Sequence, residues 1–163
     1  MATTQIDVPE GLPYVDITRE INAPRDLVHR AYTDPELLAQ WLGPRNLTMK
    51  VEKWEVRDGG AWRYVQTEEN GSSYGFHGVF HGPQTPDQMI QTFEFDLVPG
   101  HVSFSELRLE ERDGRTLAKT HVVFMSIEDR DGMVGSGMAT GINEGYERLD
   151  ELVARLAPVP TPA

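Results

Sequence analysis

The feature that most constrains the fold is a series of five hairpin-turn signals, each lying between segments rich in aromatic and β-branched residues. Asp-Gly and Asn-Gly pairs are typical of tight hairpins because they adopt the positive φ angles that these turns need. The signals are Asp58-Gly59-Gly60, Asn70-Gly71-Ser72, the segment 83–87, Pro99-Gly100 and Asp113-Gly114. Six strands joined by such short connections form an antiparallel meander, since parallel strands need much longer crossovers.

The strands of this meander are predicted at about 47–57, 61–68, 73–82, 88–98, 101–112 and 115–125. Alternate residues of a strand share one face of the sheet. In the fourth of these strands, the alternation predicts that Phe93, Phe95 and Leu97 lie on the inner face. Charged and histidine residues occupy the opposite positions, which suit a face exposed to solvent.

One strand and two short helices are predicted ahead of the meander. The segment 14–21 alternates polar and apolar residues, as a strand with one buried face does. Pro24 favours the start of a first helix, where a missing N–H costs nothing. Asp34, which precedes a proline, favours the start of a second helix, and the Gly-Pro pair at 43–44 favours its end.

A long amphipathic helix is predicted from about 134 to 156, because apolar residues recur there at helical spacing. The stripe consists of Met138, Ile142, Gly145, Leu149, Leu152 and Leu156. Beside it lie Gly137, Gly141 and Gly145, although a glycine costs a helix up to ~1 kcal/mol relative to alanine. Close backbone approach to the sheet, space for a ligand against the helix and a contact between subunits are three explanations that the sequence leaves open.

Together these elements predict an α+β fold. We expect a seven-stranded curved antiparallel sheet wrapped around the long C-terminal helix, with two short helices after the first strand. The predicted organisation is a flexible arm at 1–13, one domain at 14–156 and a Pro-rich tail at 157–163. The first 13 residues lack the basic and apolar regions of a signal peptide, so we expect a cytoplasmic protein.

The composition disfavours two classes of partner. The formal net charge is −11, whereas binding to nucleic acid or to an anionic membrane surface depends on clustered Lys and Arg. No apolar segment approaches the ~20 residues of a membrane span. The chain contains no cysteine, which excludes disulfides and thiol chemistry. We therefore expect neither nucleic acid nor a membrane as a partner.

No motif indicates a metal, a cofactor or a catalytic nucleophile. His77 and His81 have an H-x-x-x-H spacing, but in a strand their rings lie about 13 Å apart, too far to share one ion. Nucleophile-elbow, phosphate-loop and zinc motifs are absent from the sequence. An acid–base site formed by Glu106 or Gln91 through a bulge is the alternative to ordinary polar side chains. We predict no metal, no cofactor and no catalytic residue.

Aromatic residues on the inner faces of the strands are the stronger functional signal. An apolar cavity with few polar groups is the usual site for a small molecule, although the same rings alternatively form a solid core. We predict a cavity between the sheet and the C-terminal helix, with Gln91, Tyr64 or Tyr146 orienting a ligand through hydrogen bonds. The predicted wall consists of Trp41, Trp54, Trp62, Tyr64, Phe76, Phe80, Gln91, Phe93, Phe95, Met138, Ile142 and Tyr146.

Three stretches of the chain carry a resemblance to a known family. They are Ala23-Pro24 with Ala31-Tyr32-Thr33-Asp34-Pro35-Glu36 and Gln40-Trp41-Leu42-Gly43-Pro44; Glu55-Val56-Arg57 with Gly59-Gly60 and Trp62-Arg63-Tyr64; and Asp131-Gly132-Met133 with Gly137-Met138 and Leu149-Asp150-Glu151-Leu152. Across about 15–156 the chain resembles the SRPBCC superfamily, the START and birch-pollen-allergen-like group with the helix-grip fold. Within that group it resembles the family related to the heat-shock-protein-90 ATPase activator.

The resemblance implies a helix-grip fold around a hydrophobic cavity. We expect a protein that binds a small apolar molecule, rather than an enzyme. A cyclase, dehydratase or hydrolase that uses the same cavity is one alternative, and a stress-response or chaperone-interacting protein is another. The resemblance is also compatible with a homodimer. Eukaryotic activators of the chaperone carry a separate N-terminal domain, for which 163 residues leave no room, so chaperone contact is the weaker expectation.

Overall fold

Eight antiparallel strands form one curved sheet. A computed structural model of the protein describes residues 3–157. The strands are β1 (Thr4–Asp7), β2 (Tyr14–Ile21), β3 (Leu47–Trp54), β4 (Ala61–Glu68), β5 (Ser73–Thr85), β6 (Gln88–Phe95), β7 (Val102–Arg112) and β8 (Arg115–Val123). Their order in the sheet is β1-β2-β8-β7-β6-β5-β4-β3. The predicted meander is confirmed, because each strand from β3 to β8 pairs with the next one along the chain.

Four helices accompany the sheet: α1 (Arg25–Thr33), α2 (Pro35–Leu38), α3 (Ile127–Gly135) and α4 (Met138–Leu156). The Asp34 side chain begins α2 by accepting a hydrogen bond of 3.0 Å from the backbone N–H of Glu36. Leu149, Leu152 and Val153 of α4 are buried in the same core as β2. The α+β fold class and the grip of the sheet on the C-terminal helix are confirmed.

The sheet has eight strands rather than the seven that were predicted. The additional strand, β1, lies within the segment 1–13 that was expected to be a flexible arm. It pairs with β2 in the register Thr4 to Arg19, and the Arg19 guanidinium donates a hydrogen bond of 3.2 Å to the Thr4 hydroxyl. Four residues carry too short an alternation to predict a strand. Of the predicted Pro-rich tail, residues 158–163 lie outside the described residues.

The C-terminal helical region is broken into two helices. The prediction was one helix from about 134, but Gly137 has φ of +90° and separates α3 from α4. The Ser126 side chain begins α3 by accepting a hydrogen bond of 3.0 Å from the backbone N–H of Asp129. The buried Arg130 side chain of α3 then donates to the backbone carbonyls of Pro9 and Leu12. These contacts fix α3 against the N-terminal segment.

Gly145 shows why α4 contains glycine. A Cβ atom at this position would lie 3.3 Å from the carbonyl oxygen of Trp41 and 3.4 Å from the backbone nitrogen of Gly43. Close backbone approach is therefore the explanation at this position. The prediction that the sheet is the neighbour was wrong, because the approaching segment follows α2 and is not part of the sheet.

Candidate functional site

Two cavities lie side by side on the inner face of the sheet. The smaller has a volume of about 170 Å³ and the larger a volume of about 520 Å³. On β6, Gln91 lines the smaller cavity and Phe93 the larger; on β7, Ser105 lines the smaller and Ser103 the larger. Residues two apart on a strand face the same side at a spacing of about 7 Å, so the cavities are direct neighbours.

The smaller cavity lies between the strands and the two short helices. Tyr32 of α1 and Leu38 of α2 line it, and the Trp54 indole donates a hydrogen bond of 3.1 Å to the Tyr32 carbonyl, which ties β3 to α1. An apolar cavity of about 150 Å³ in a protein holds a benzene molecule, so this space is large enough for one ring. The other lining residues are Thr33, Leu42, Val56, Tyr64, Phe80, Gln84, Met89, Gln91, Ser105, Leu107 and Thr120.

The larger cavity lies between α3 and one end of β5, β6 and β7. Its volume falls in the range of about 300–1,000 Å³ that is usual for small-molecule sites. The apolar part of its lining consists of Phe76, Phe93, Phe95, Val98, Val102, Phe124 and Met133. The polar part consists of His101, Ser103, Glu128, Asp129 and Ser136, with Gly132 on the α3 side.

A layer of aromatic rings separates the two cavities. Tyr64 lines the smaller cavity and Phe76 the larger, and their ring centroids are 5.5 Å apart. The centroid of Phe76 lies 5.3 Å from that of Phe93. The separation at this point therefore consists of two rings in contact, Tyr64 and Phe76.

Gly78 makes this aromatic layer compatible with the sheet. The Trp62 indole crosses β5 and donates a hydrogen bond of 3.0 Å to the carbonyl of Thr92 on β6. A Cβ atom on Gly78 would lie only 2.6 Å from the indole nitrogen. The buried Trp62 ring in turn stacks on Tyr64 at 5.1 Å between centroids and holds that ring at the edge of the smaller cavity.

Polar groups of Tyr64, Gln91 and Ser105 face the smaller cavity without a hydrogen-bond partner among residues 3–157. Within the part of the chain that the structure describes, no fully buried side-chain nitrogen or oxygen lacks a hydrogen-bond partner. The Tyr64 hydroxyl, the Gln91 amide and the Ser105 hydroxyl make no side-chain hydrogen bond to residues 3–157, so each keeps a surface open to the cavity. Burial raises the pKa of Tyr64, which keeps the phenol protonated and able to donate a hydrogen bond.

A histidine–carboxylate hydrogen bond lies at the edge of the larger cavity. The Nδ1 atom of His101 lies 2.8 Å from a carboxylate oxygen of Asp129, and the His101 side chain is 56% exposed. The pair joins the connection between β6 and β7 to α3. Neither cavity includes a lysine or arginine among its described lining residues, so acidic groups dominate the charge at this opening.

The described residues show neither a metal-binding cluster nor a helix that could span a membrane. Within residues 3–157, no group of three or more His, Cys, Asp or Glu side chains is arranged to hold a metal ion. None of the helices in that range combines the length and the apolar character that crossing a membrane requires.

The family model described as Activator of Hsp90 ATPase homolog 1-like protein matches residues 22–154. The chain belongs to this family. The resemblance to the SRPBCC superfamily and to its activator-like branch is thereby confirmed. Membership supports a hydrophobic-ligand-binding or an activator-like role. A search of curated proteins with the sequence found no match.

Solved structures share the fold of this AHSA1-like chain. A crystal structure of a protein from Rhodobacter sphaeroides is 29% identical, with a TM-score of 0.86 over 94% of this chain and 99% of that one. Protein Ms6760 from Mycobacterium smegmatis is 23% identical, with a TM-score of 0.83 over 99% and 100% of the two chains. An AHSA1-like protein from Aeromonas hydrophila is 14% identical, with a TM-score of 0.69 over 91% and 99%.

The predicted site residues of this AHSA1-like protein fall into three groups. Trp54, Tyr64, Phe80 and Gln91 line the smaller cavity, and Phe76, Phe93 and Phe95 line the larger. Trp41, Trp62, Met138, Ile142 and Tyr146 line neither. The predicted wall is therefore divided between two spaces, and no residue of α4 lines either of them.

The residues that line neither cavity have structural surroundings. Trp41, Trp62 and Tyr146 are buried, and the Trp41 indole donates a hydrogen bond of 3.0 Å to the carbonyl of Ala31. The Tyr146 hydroxyl lies 3.3 Å from that of Tyr32. Met138 and Ile142 are half-buried against the core.

Sequence reasoning missed the contribution of α3. Asp129, Gly132 and Met133 line the larger cavity, but the segment ahead of 134 was not predicted as a helix. A signal was present, because Ser126 followed by acidic residues in the first helical turn is typical of a helix start. Ser105 of β7 was also missed, since a lone serine in a strand carries no distinctive pattern.

Proposed function

We propose that this protein binds a small hydrophobic or aromatic molecule, and that the body of the ligand occupies the larger cavity between α3 and the sheet. The observation that carries the proposal is the cavity of about 520 Å³ with Phe76, Phe93 and Phe95 in its wall. Rings stacked on such a wall gain about 0.5–1.5 kcal/mol per aromatic pair beyond the burial of apolar area.

The surroundings of the cavity also favour a container over a docking surface for another protein. Ion pairs occupy the outer face of the sheet, including Arg63 with Asp96 and Lys119 with Glu110. Apolar docking surfaces are typically contiguous and uncharged at their centre. We therefore place the activator-like role second.

The test is a titration with N-phenyl-1-naphthylamine, a neutral dye that fluoresces in apolar surroundings. The blocking variant is Gly132→Phe, because Gly132 lines the larger cavity and no atom lies within 4 Å of an added Cβ. The matched control is Gly135→Phe on the same helix, where an added Cβ also meets no atom within 4 Å. Gly135 is not among the residues that line the cavity.

We expect saturable binding of one dye molecule per chain, weakened at least tenfold by Gly132→Phe and little changed by Gly135→Phe. The weakening follows because a phenyl ring occupies space that the dye needs. Absence of saturable binding to the unaltered protein would contradict the proposal. Equal weakening by both variants would contradict the assignment of the larger cavity.

A further inference from the structure

We infer that the smaller cavity binds the polar head group of the same ligand whose body occupies the larger cavity. We also infer that it selects a ligand with a neutral oxygen, in a carbonyl or a hydroxyl group, over a ligand with a carboxylate. The inference rests on the proposed function, because it assigns the ring body of the ligand to the larger cavity. It adds the chemical class of the ligand and the residues that distinguish that class.

The open hydrogen-bonding groups of the smaller cavity supply the selectivity for oxygen. Gln91 and Ser105 are direct partners across β6 and β7, and the Tyr64 hydroxyl faces the same space. An amide and two hydroxyls donate as well as accept hydrogen bonds, so together they match a carbonyl or a hydroxyl. A ligand without such an oxygen leaves these groups without a protein or ligand partner.

The charge of the two cavities supplies the selectivity against anions. No lysine or arginine lines either space among the described residues, whereas Glu128 and Asp129 line the larger one. The His101 ring also lines the larger cavity, but its Nδ1 atom is already hydrogen-bonded to Asp129. An ionised carboxylate that leaves water without a cationic partner pays a large desolvation free energy. The acidic residues also repel the carboxylate of such a ligand, and so does the net charge of −11 of the whole chain.

The separation between the cavities is compatible with one ligand reaching both. Gln91 and Phe93 are two residues apart on the same face of β6, which corresponds to about 7 Å. Phe76 and Phe93 are half-buried rather than fully buried, and part of each ring faces the larger cavity. A ligand with a two-ring body and one substituent can span the distance between the two cavities once the Phe76 ring has moved away from Tyr64.

The experiment uses three naphthalenes of nearly equal size to displace N-phenyl-1-naphthylamine at pH 7. They are 2-acetylnaphthalene with a carbonyl, 2-methylnaphthalene without a polar atom, and 2-naphthoate with a carboxylate. The protein variants are Ser105→Ala and Gln91→Leu. The matched control is Ser72→Ala, because Ser72 is exposed in the turn between β4 and β5 and lines neither cavity.

We expect Ser105→Ala and Gln91→Leu each to lower the affinity for 2-acetylnaphthalene by about five- to tenfold, because each variant loses one hydrogen bond to the ligand. The same changes should leave the binding of 2-methylnaphthalene unaltered or make it tighter, and Ser72→Ala should change the binding of neither compound. 2-Naphthoate should bind at least tenfold more weakly than 2-acetylnaphthalene to the unaltered protein.

Three results would overturn the inference, and they distinguish a wrong subsite from a wrong function. All three naphthalenes could displace the dye while Ser105→Ala and Gln91→Leu change the binding of the carbonyl and methyl compounds equally. The assignment of the head-group subsite would then be wrong, but the proposed ligand-binding function would remain. Tighter binding of 2-naphthoate than of 2-acetylnaphthalene would likewise contradict the subsite and leave the proposed ligand-binding function in place. If neither the dye nor any naphthalene binds, the proposed function fails, and the inference fails with it.

Discussion

Single side chains on the outer face of the sheet give this protein a defined response to acid. The Arg63 guanidinium donates two hydrogen bonds to Asp96, of 3.1 and 2.7 Å. The Nδ1 atom of His77 lies 2.8 Å from the same carboxylate. The hydrogen bond from Arg63 is the main cause that lowers the pKa of Asp96 to about 2, and His77 contributes further. Because an unfolded aspartate has a pKa of about 3.9, folding favours the ionised carboxylate.

Asp96→Asn should therefore destabilise the protein in a manner that depends on pH. A folded pKa below the unfolded one contributes stability above about pH 3.9, and that contribution is lost as the pH falls toward 2. Solvent screens this half-exposed pair, so the loss at pH 7 should be about 0.5–1 kcal/mol. The measurement is the free energy of unfolding in urea, for both proteins, from pH 7 to pH 2.

Asp87→Asn is the control for this measurement, since the Asp87 side chain is 83% exposed and makes one ion-pair contact with Arg25. We expect its effect at pH 7 to be close to zero. A difference between Asp96→Asn and the unaltered protein that stays constant down to pH 2 would contradict the assigned role of the Arg63 pair.

At the scale of elements, the contact between α4 and the segment after α2 determines which glycines of the helix are replaceable. Arg148 strengthens that contact by donating hydrogen bonds of 3.2 and 3.3 Å to the carbonyls of Gly43 and Pro44. The backbone near Gly145 is therefore held in place. At Gly141, by contrast, an added Cβ would meet only a ring atom of Pro44 at an ordinary 3.7 Å.

Gly141→Ala and Gly145→Ala should consequently have opposite effects. Alanine favours a helix over glycine by up to ~1 kcal/mol, so Gly141→Ala should stabilise the protein by about 0.5 kcal/mol. Gly145→Ala gains the same helical preference but compresses contacts with two backbone atoms, and overpacking costs about 1–3 kcal/mol. We expect a net destabilisation of about 1 kcal/mol. Urea unfolding measures both, and stabilisation by Gly145→Ala would show that the two segments can separate freely.

The sequence predicted the elements whose signals are local and repeated. Asp-Gly and Asn-Gly turns specify consecutive hairpins, and the meander from β3 to β8 followed from them. Leu97 was placed wrongly on the inner face because β6 ends at Phe95, and its side chain is 70% exposed. The break at Gly137 was missed because Gly137 is spaced by four from Gly141 and Gly145, as if all three belonged to one helix. Its positive φ instead ends α3 before α4 begins.

At the scale of the whole molecule, the aromatic residues were predictable as inward-facing but their division was not. Alternation places Trp62, Tyr64, Phe76 and Phe93 on one face of the sheet. Whether such rings fill the interior depends on how they stack across strands, and that depends on contacts such as the Trp62 indole lying over Gly78. Tertiary packing of this kind has no sequence period. The two cavities and the role of α3 therefore required the structure.

Ligand binding should raise the stability of the whole molecule by an amount set by mass action. A ligand that binds only the folded protein adds about 1.4 kcal/mol at a free concentration ten times its dissociation constant. For a domain of this size, that corresponds to a rise in Tm of about 3–6 °C. We expect this rise with N-phenyl-1-naphthylamine for the unaltered protein and for Gly135→Phe, but not for Gly132→Phe, and calorimetry measures it. A dye that adhered to exposed surface would shift all three proteins alike, whereas a dye that bound unfolded chain would lower Tm. Only binding of the dye in the larger cavity makes the rise in Tm depend on whether phenylalanine replaces Gly132 or Gly135.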